Sequence, residues 1–297
     1  MTSSTLAPRF LVVRPGALGD TILTVPLLRS IRDRYQWTLT LLGTRSYGLL
    51  MPSGVDFRAI DHPDWLWLFS DASSPLPPDV PWFHRAYIVL MHPERIVANL
   101  CRAGTRRCLT VPSMPPPGIH VVEHLHRGLG LEPPALEPAL IHLRPKERTN
   151  VIWAHPGSGG PHKCVPLAFM AQMVTHLRER LGWDVVITVG EEDAFLKGHP
   201  EWPALVGGPR THLLDSRPLL DLCRELGGAR LFVGNDSGIS HLAAGLGIPG
   251  TVLFVATDPA QWAPWAPADQ LLIGDGAGKS LCAGEWAERI VRVLVER

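Results

Sequence analysis

The sequence predicts an α/β protein of two doubly wound parallel-sheet domains facing a central cleft, and three observations carry that expectation. Short apolar runs of strand length alternate with stretches of helical period along most of the 297 residues. A proline-rich interruption divides the alternation near the middle of the chain. Each half then opens alike, with a strand that runs into a glycine-bearing turn and a helix. A chain of this length suits two domains of roughly 150 residues each.

In the first half, Phe10–Val13 is a short apolar run of strand type, and Pro15-Gly-Ala-Leu-Gly19 is a turn. A helix is expected from Asp20 to about Tyr35, with Ile22, Leu23, Leu27, Leu28 and Ile31 on helical spacing. Strands follow at Thr38–Leu42 and Ala86–Met91, and helices at Glu94–Arg102 and Ile119–Leu129. Asp61–Pro81, rich in Pro, Trp and Ser, reads as an irregular surface excursion. Leu131–Arg148 carries Pro133, Pro134, Pro138 and Pro145 without periodicity and is the linker. The second half alternates strand Asn150–Ala154, helix Val165–Leu181, strand Asp184–Val189, helix Leu219–Leu226, strand Arg230–Val233, helix Ile239–Gly245 and strand Thr251–Val255. An amphipathic helix, Leu281–Glu296, closes the chain. Ligands in such sheets bind at the carboxyl ends of the strands.

Composition narrows the class. Apolar residues at 45% and charged residues at 19% fit a folded globular chain rather than a disordered one. Net charge is zero, yet residues 1–146 hold 15 Lys+Arg against 11 Asp+Glu, and residues 147–297 hold 13 against 17. The halves therefore carry +4 and −4, and a mildly basic first half is compatible with an anionic partner. No run approaches the ~18 apolar residues of a membrane span, and the N-terminus lacks the pattern of a signal peptide. Five scattered cysteines without a CxxC pair suit reduced thiols in a cytoplasmic protein.

Four segments carry chemistry. Arg14-Pro-Gly-Ala-Leu-Gly19-Asp20 lacks the full dinucleotide fingerprint, because its first glycine would fall at Arg14. It places an acid where the sheet opens, and Asp20 serves there either as a helix cap or as a reactive carboxylate. His155-Pro-Gly157-Ser158-Gly159-Gly160 follows the first strand of the second half, with Lys163 behind it. Such glycines let backbone N–H groups approach a phosphate, and the lysine adds a mobile point charge. In Gly234-Asn-Asp236-Ser237-Gly238-Ile-Ser-His241 a strand gives way to a helix whose first N–H groups, at Ser237 and Gly238, favour an anion. His241 lies one turn in. Gly190-Glu191-Glu192-Asp193 follows another strand, where acids can accept from ribose hydroxyls.

Two look-alikes are set aside. Gly278-Lys279-Ser280 resembles the end of a P-loop, but the earlier glycine would fall at position 273, which is Ile. His120-Val-Val-Glu123-His124 matches a zinc-peptidase pattern without a third acidic ligand, so no metal site is expected.

Taken in order, Arg14–Asp20, His120–Leu131, His155–Lys163, Val233–His241 continuing to Pro249, and Thr257-Asp258-Pro259 resemble glycosyltransferase family 9, the ADP-heptose:lipopolysaccharide heptosyltransferases. The family's Trp-Pro after the lysine is here Cys164-Val-Pro166. The resemblance implies a GT-B fold of two Rossmann-like domains. Residues 1–146 would bind the acceptor, 147–280 the nucleotide sugar, and the helix 281–297 would pack back on the first domain. It implies an inverting transfer of heptose from an ADP-sugar, with no further cofactor. Asp20 would be the general base and Lys163 a ligand of the departing diphosphate. Gly157, Ser158, Gly159, Asp236, Ser237, Gly238 and His241 would contact the donor, and Glu191 or Glu192 its ribose. The acceptor would be an anionic lipid-linked oligosaccharide, and nucleic acid is not expected as a partner. Such an acceptor would bring the enzyme to the inner face of the inner membrane as a peripheral protein.

An anionic acceptor calls for arginines, whose fork matches carboxylates and phosphates. Arg14, with Gly19 beside Asp20, is expected on the acceptor side. Arg95, Arg102, Arg106 and Arg107 form a second basic group. Rival functions are a non-catalytic nucleotide-sugar binder of the same family, an enzyme of that family using another sugar or acceptor, and a nicotinamide dehydrogenase. The missing fingerprint weakens the last.

Overall fold

The computed structural model describes residues 7–143, 147–275 and 282–296. Pro145 of the expected linker, the Gly278-Lys279-Ser280 stretch and Leu281 of the expected terminal helix lie outside them. The chain divides into two compact units, Met1–Ala135 and Leu136–Arg297, so the division falls ahead of the expected boundary at residue 146.

In the first unit, strands β1 (Arg9–Val13), β2 (Thr38–Gly43), β3 (Val55–Ala59), β4 (Arg85–Val89) and β5 (Cys108–Val111) form one sheet. Its order is β3-β2-β1-β4-β5, and every neighbouring pair is parallel. Helices α1 (Leu18–Tyr35), α2 (Glu94–Arg102) and α3 (Val121–Arg127) connect these strands or follow them. Phe10 to Val13 are fully buried because a central parallel strand is covered on both faces. The 61–81 segment is not merely a surface excursion. Within it a 3-10 turn, Pro63–Phe69, sends Trp65, Trp67 and Leu68 into the core with Leu11, Val13 and Phe83. Arg95 donates to the Phe69 carbonyl at 3.2 Å and Arg102 to the Ser74 carbonyl at 2.6 Å, so α2 fastens this segment. Cys101 and Cys108, seven positions apart, bring their sulfurs to 3.9 Å as free thiols.

The second unit adds β6 (Val151–His155), α4 (Leu167–Leu181), β7 (Asp184–Val189), α5 (Trp202–Val206), β8 (Thr211–Asp215), α6 (Leu219–Leu226), β9 (Leu231–Asn235), α7 (Gly238–Gly245), β10 (Gly250–Phe254), α8 (Pro259–Trp262), β11 (Leu271–Asp275) and α9 (Ala283–Ile290). Its all-parallel sheet runs β11-β10-β9-β6-β7-β8. In both sheets the strand order turns back beside the first strand: between β1 and β4, and between β6 and β9. At such a switch point the loops leave in opposite directions and open a crevice over the carboxyl ends. Among the described residues no helix is long and apolar enough to cross a membrane.

The terminal helix belongs to the second unit. Its apolar face, Trp286, Ala287, Ile290 and Val291, lies in that unit's core with residues of α4. Trp286 Nε1 also donates to Thr251 Oγ1 of β10 at 3.3 Å. Truncation to Ala at position 286 is expected to destabilise the second unit by ~3–5 kcal/mol in denaturant titration. A loss below ~1 kcal/mol would place the helix outside that core.

Candidate functional site

At the switch point of the first sheet, β1 ends at a buried Val13 and α1 begins at Leu18, two residues before the expected start. The N-cap, Ala17, has no side-chain acceptor. Asp20 therefore sits at the third helical position and reaches back, its Oδ2 accepting from the Ala17 N–H at 3.1 Å. Its Oδ1 accepts from Arg14 Nη2 at 2.7 Å. A Cβ on Gly16 would come within 2.8 Å of the Asp20 Cβ, so only glycine lets the turn close over this carboxylate. Thr44 Oγ1 donates to the Gly16 carbonyl at 2.8 Å and braces the same turn.

Arg14 is 3% exposed while Asp20 is 30% exposed. The arginine is thus the more deeply buried partner of the ion pair, and the acid is the one nearer solvent. Burial pulls the arginine's pKa down, against the opposing effect of Asp20. Gly19 is buried at the second position of α1 and offers backbone alone. Tyr47 is an addition that carries no sequence signal. Burial raises its phenol pKa, the Leu18 N–H opposes the rise, and the Asp20 charge adds to it.

At the switch point of the second sheet, β6 and β9 pair in parallel with His155 opposite Gly234. The carboxyl ends of the two strands therefore lie side by side. Asn235, buried at the end of β9, donates from Nδ2 to the Pro156 carbonyl at 2.7 Å and accepts at Oδ1 from the Val165 N–H at 3.1 Å. One amide thus holds both ends of the Gly-rich loop. Ser158 is buried, and its hydroxyl donates to the Asp236 carbonyl. The Asp236 carboxylate accepts from the Thr257 hydroxyl and lies 3.8 Å from Lys163 Nζ and 3.9 Å from His241 Nε2.

These positions divide the labour. The Asp236 side chain is 8% exposed and that of Lys163 is 35% exposed. A nearly buried acid therefore orients a solvated ammonium that can turn to an incoming anion. Ser237 caps α7, its Oγ accepting from the Ser240 N–H at 3.3 Å. The following N–H groups, at Gly238 and Ile239, have no partner within the helix and favour negative charge. Gly159 stands exposed with φ +50°. Glu191 and Glu192 are exposed on the 3-10 turn after β7.

Their neighbour Asp193 turns inward instead. It is 3% exposed, and its carboxylate accepts from the Ser158 N–H at 3.1 Å and the Gly190 N–H at 2.9 Å. The third acid of a Glu-Glu-Asp run carries no mark in sequence that would single it out. The buried His155 donates from Nδ1 to the Thr188 carbonyl at 3.0 Å, and its Nε2 lies 3.7 Å from Asp193. The zinc-like motif is otherwise occupied: His120 caps α3 by accepting from the Val122 N–H, and His124 donates from Nε2 to the Pro112 carbonyl at 2.8 Å. Among the described residues, no three His, Cys, Asp or Glu side chains gather as metal ligands.

The profile of glycosyltransferase family 9 (heptosyltransferase) matches residues 125–285, more than half of the chain. The chain belongs to glycosyltransferase family 9. It is a glycosyltransferase with the two-sheet architecture of that family's solved members. E. coli heptosyltransferase WaaC with ADP aligns over 96% of this chain and 99% of its own, at TM-score 0.71 and 16% identity. E. coli ADP-heptose lipopolysaccharide heptosyltransferase II aligns over 96% and 98%, at TM-score 0.71 and 18% identity. The family 9 glycosyltransferase of Veillonella parvula gives 96% and 96%, at TM-score 0.71 and 15% identity. At these identities the likeness shows the fold. A search of curated proteins by sequence returns no match.

His155 links the site to pH. Burial pushes its pKa below the ordinary 6.5, with the Asp193 charge and the Thr188 carbonyl opposing. The folded state therefore refuses a proton that the unfolded chain accepts. The contribution is complete above pH 6.5 and is lost as pH falls below that value. His126 in the first unit is also pushed down by burial and acts with the same sign. The readout is therefore a difference between wild type and His155→Asn in denaturant titrations from pH 7.5 to 5.5. The variant is expected to lose less stability on acidification, by up to about 1.4 kcal/mol per pH unit. Parallel slopes would mean that His155 is not excluded from protonation.

Proposed function

We propose that this enzyme is an inverting heptosyltransferase, moving a heptose from ADP-heptose to the anionic inner core of lipopolysaccharide. The observation that carries the donor half is the convergence of Lys163, the Gly157–Gly160 loop and the N-terminus of α7 at one switch point. That set suits a diphosphate, which needs fixed N–H donors and a cation rather than a ribbon of base-reading groups. The similar structures named for ADP and for ADP-2-deoxy-2-fluoro heptose support an adenosine diphosphate sugar.

Transfer needs an activated hydroxyl, a stabilised cationic sugar and a neutralised leaving group. Asp20, at the first switch point, is an acid both anchored and open to solvent. Its second lone pairs can take the proton of an acceptor hydroxyl as oxygen attacks the anomeric carbon opposite the diphosphate. Arg14, its ion-pair partner, keeps the carboxylate in place. As the anomeric C–O bond breaks, negative charge grows on the diphosphate, and Lys163 with the loop and α7 N–H groups receives it without reorganising. Glu191 or Glu192, exposed beside this set, would take the ribose hydroxyls. A lipid-linked acceptor would bring the enzyme to the cytoplasmic face of the inner membrane.

Assay of the purified protein with ADP-heptose and a heptose-deficient lipopolysaccharide core tests the reading. Asp20→Asn is expected to lower kcat by roughly 10²–10⁴-fold while ADP affinity stays within about twofold. Retention of most of the turnover would reduce Asp20 to a helix cap. Lys163→Ala should weaken ADP binding and lower kcat together, because the diphosphate is charged in the ground state and more so on departure. If both were unchanged, the glycine loop would be only a turn.

A further inference from the structure

We infer that Asp193 is a positioning residue for the donor, holding the Gly157–Ser158 turn so that the loop N–H groups and Lys163 present one fixed face to a diphosphate. This rests on the donor reading above and adds a residue to it. Asp193 is buried and its carboxylate accepts from the backbone N–H groups of Ser158 and Gly190, so it acts through the loop.

Four ties hold the loop. Three of them, Asn235 on the Pro156 carbonyl, Asn235 on the Val165 N–H and the Asp236 carbonyl on the Ser158 hydroxyl, come from the end of β9. The fourth, Asp193 on the Ser158 N–H, comes from the turn after β7, on the other side of β6. Without it the loop would be fastened along one edge only. The same carboxylate also accepts from the Gly190 N–H at 2.9 Å, so one side chain joins the turn that follows β7 to the loop that follows β6. Two N–H donors on two oxygens require a carboxylate. An amide would set an NH₂ against one of them and leave a buried N–H unpaired, which costs ~1–3 kcal/mol.

The space around Asp193 supports the assignment. A Cβ on Gly157 would fall 2.0 Å from its Oδ1, so the loop leaves the acid a place that only glycine permits. Neutral His155, already donating from Nδ1 to Thr188, turns an acceptor nitrogen toward Asp193 and gives it no hydrogen bond. The carboxylate is thus held by the two backbone donors.

The test uses the full chain and ADP as the probe. Titration calorimetry and residue-resolved amide exchange are run on wild type, Asp193→Asn, Lys163→Ala and the double variant. Asp193→Asn is expected to raise the Kd for ADP at least tenfold and to remove exchange protection at Ser158 and Gly190, with other sheet amides unchanged. In the Lys163→Ala background the same change should cost less than threefold, because the cation that the loop positions is already gone. A general loss of stability would lower affinity equally in both backgrounds, and that result overturns the proposal. So does unchanged ADP affinity in a folded Asp193→Asn protein. If Asp193→Asn does not fold, Gly157→Ala displaces the carboxylate from the other side and is expected to give the same pattern. Should wild type itself not bind ADP, the donor reading fails. Exchange then decides the positioning claim alone: lost protection at Ser158 and Gly190 supports it, and retained protection overturns it.

Discussion

The parallel pairing of β6 with β9 is the constraint on which the chemistry of this molecule depends. With His155 opposite Gly234, the two strands deliver their carboxyl ends at the same height. The Gly-rich loop and the N-terminus of α7 therefore emerge together. A shift in register would separate Lys163 from Asp236 and leave the Asn235 amide without the Pro156 carbonyl. Backbone hydrogen bonding thus places the phosphate-type donors, and buried polar side chains only lock them. Such polar groups are costly inside a protein unless each is satisfied. Asn235, Ser158 and Asp193 meet that condition through backbone partners from neighbouring strand ends.

The first unit solves the related problem of presenting one carboxylate. An Ala at the N-cap leaves the start of α1 without a side-chain acceptor, and Asp20 supplies it from the third helical position. The cap and the reactive role proposed for Asp20 therefore rest on one placement. The cap and Arg14 take one lone pair on each oxygen, and 30% exposure leaves the others open to solvent. A buried arginine so close to a half-exposed acid contributes direction more than net stability, since its own desolvation opposes the attraction.

Much of this was legible in the residues. The central strands were recognisable because burial on both faces demands continuous apolar runs, as in Phe10–Val13. The strands that escaped notice, β3, β5, β8 and β11, are the four sheet edges. There one side meets solvent, and Thr211–Asp215, for example, is mostly exposed or half-exposed. Motif order located the loops at both switch points, including Asp20, Lys163 and Asp236. It did not show which way side chains face. Arg14, expected on the acceptor side beside Asp20, is the more deeply buried partner of that ion pair. Glu191 and Glu192 face solvent, while Asp193, next in line, is buried and accepts from two backbone N–H groups. The periodicity of the terminal helix does not show that Trp286 and Ile290 fill the second core. Each of these is a question of rotamer and packing, which periodicity does not encode.

The central claim is that the second switch point receives a nucleotide diphosphate. Residue-resolved amide exchange with and without ADP tests it most directly. The account predicts new protection at Gly159, Gly160, Gly238 and Ile239, the N–H groups of the loop and of the start of α7. Protection absent from all four, with ADP instead slowing exchange in the first unit around Ala17 and Leu18, would contradict it.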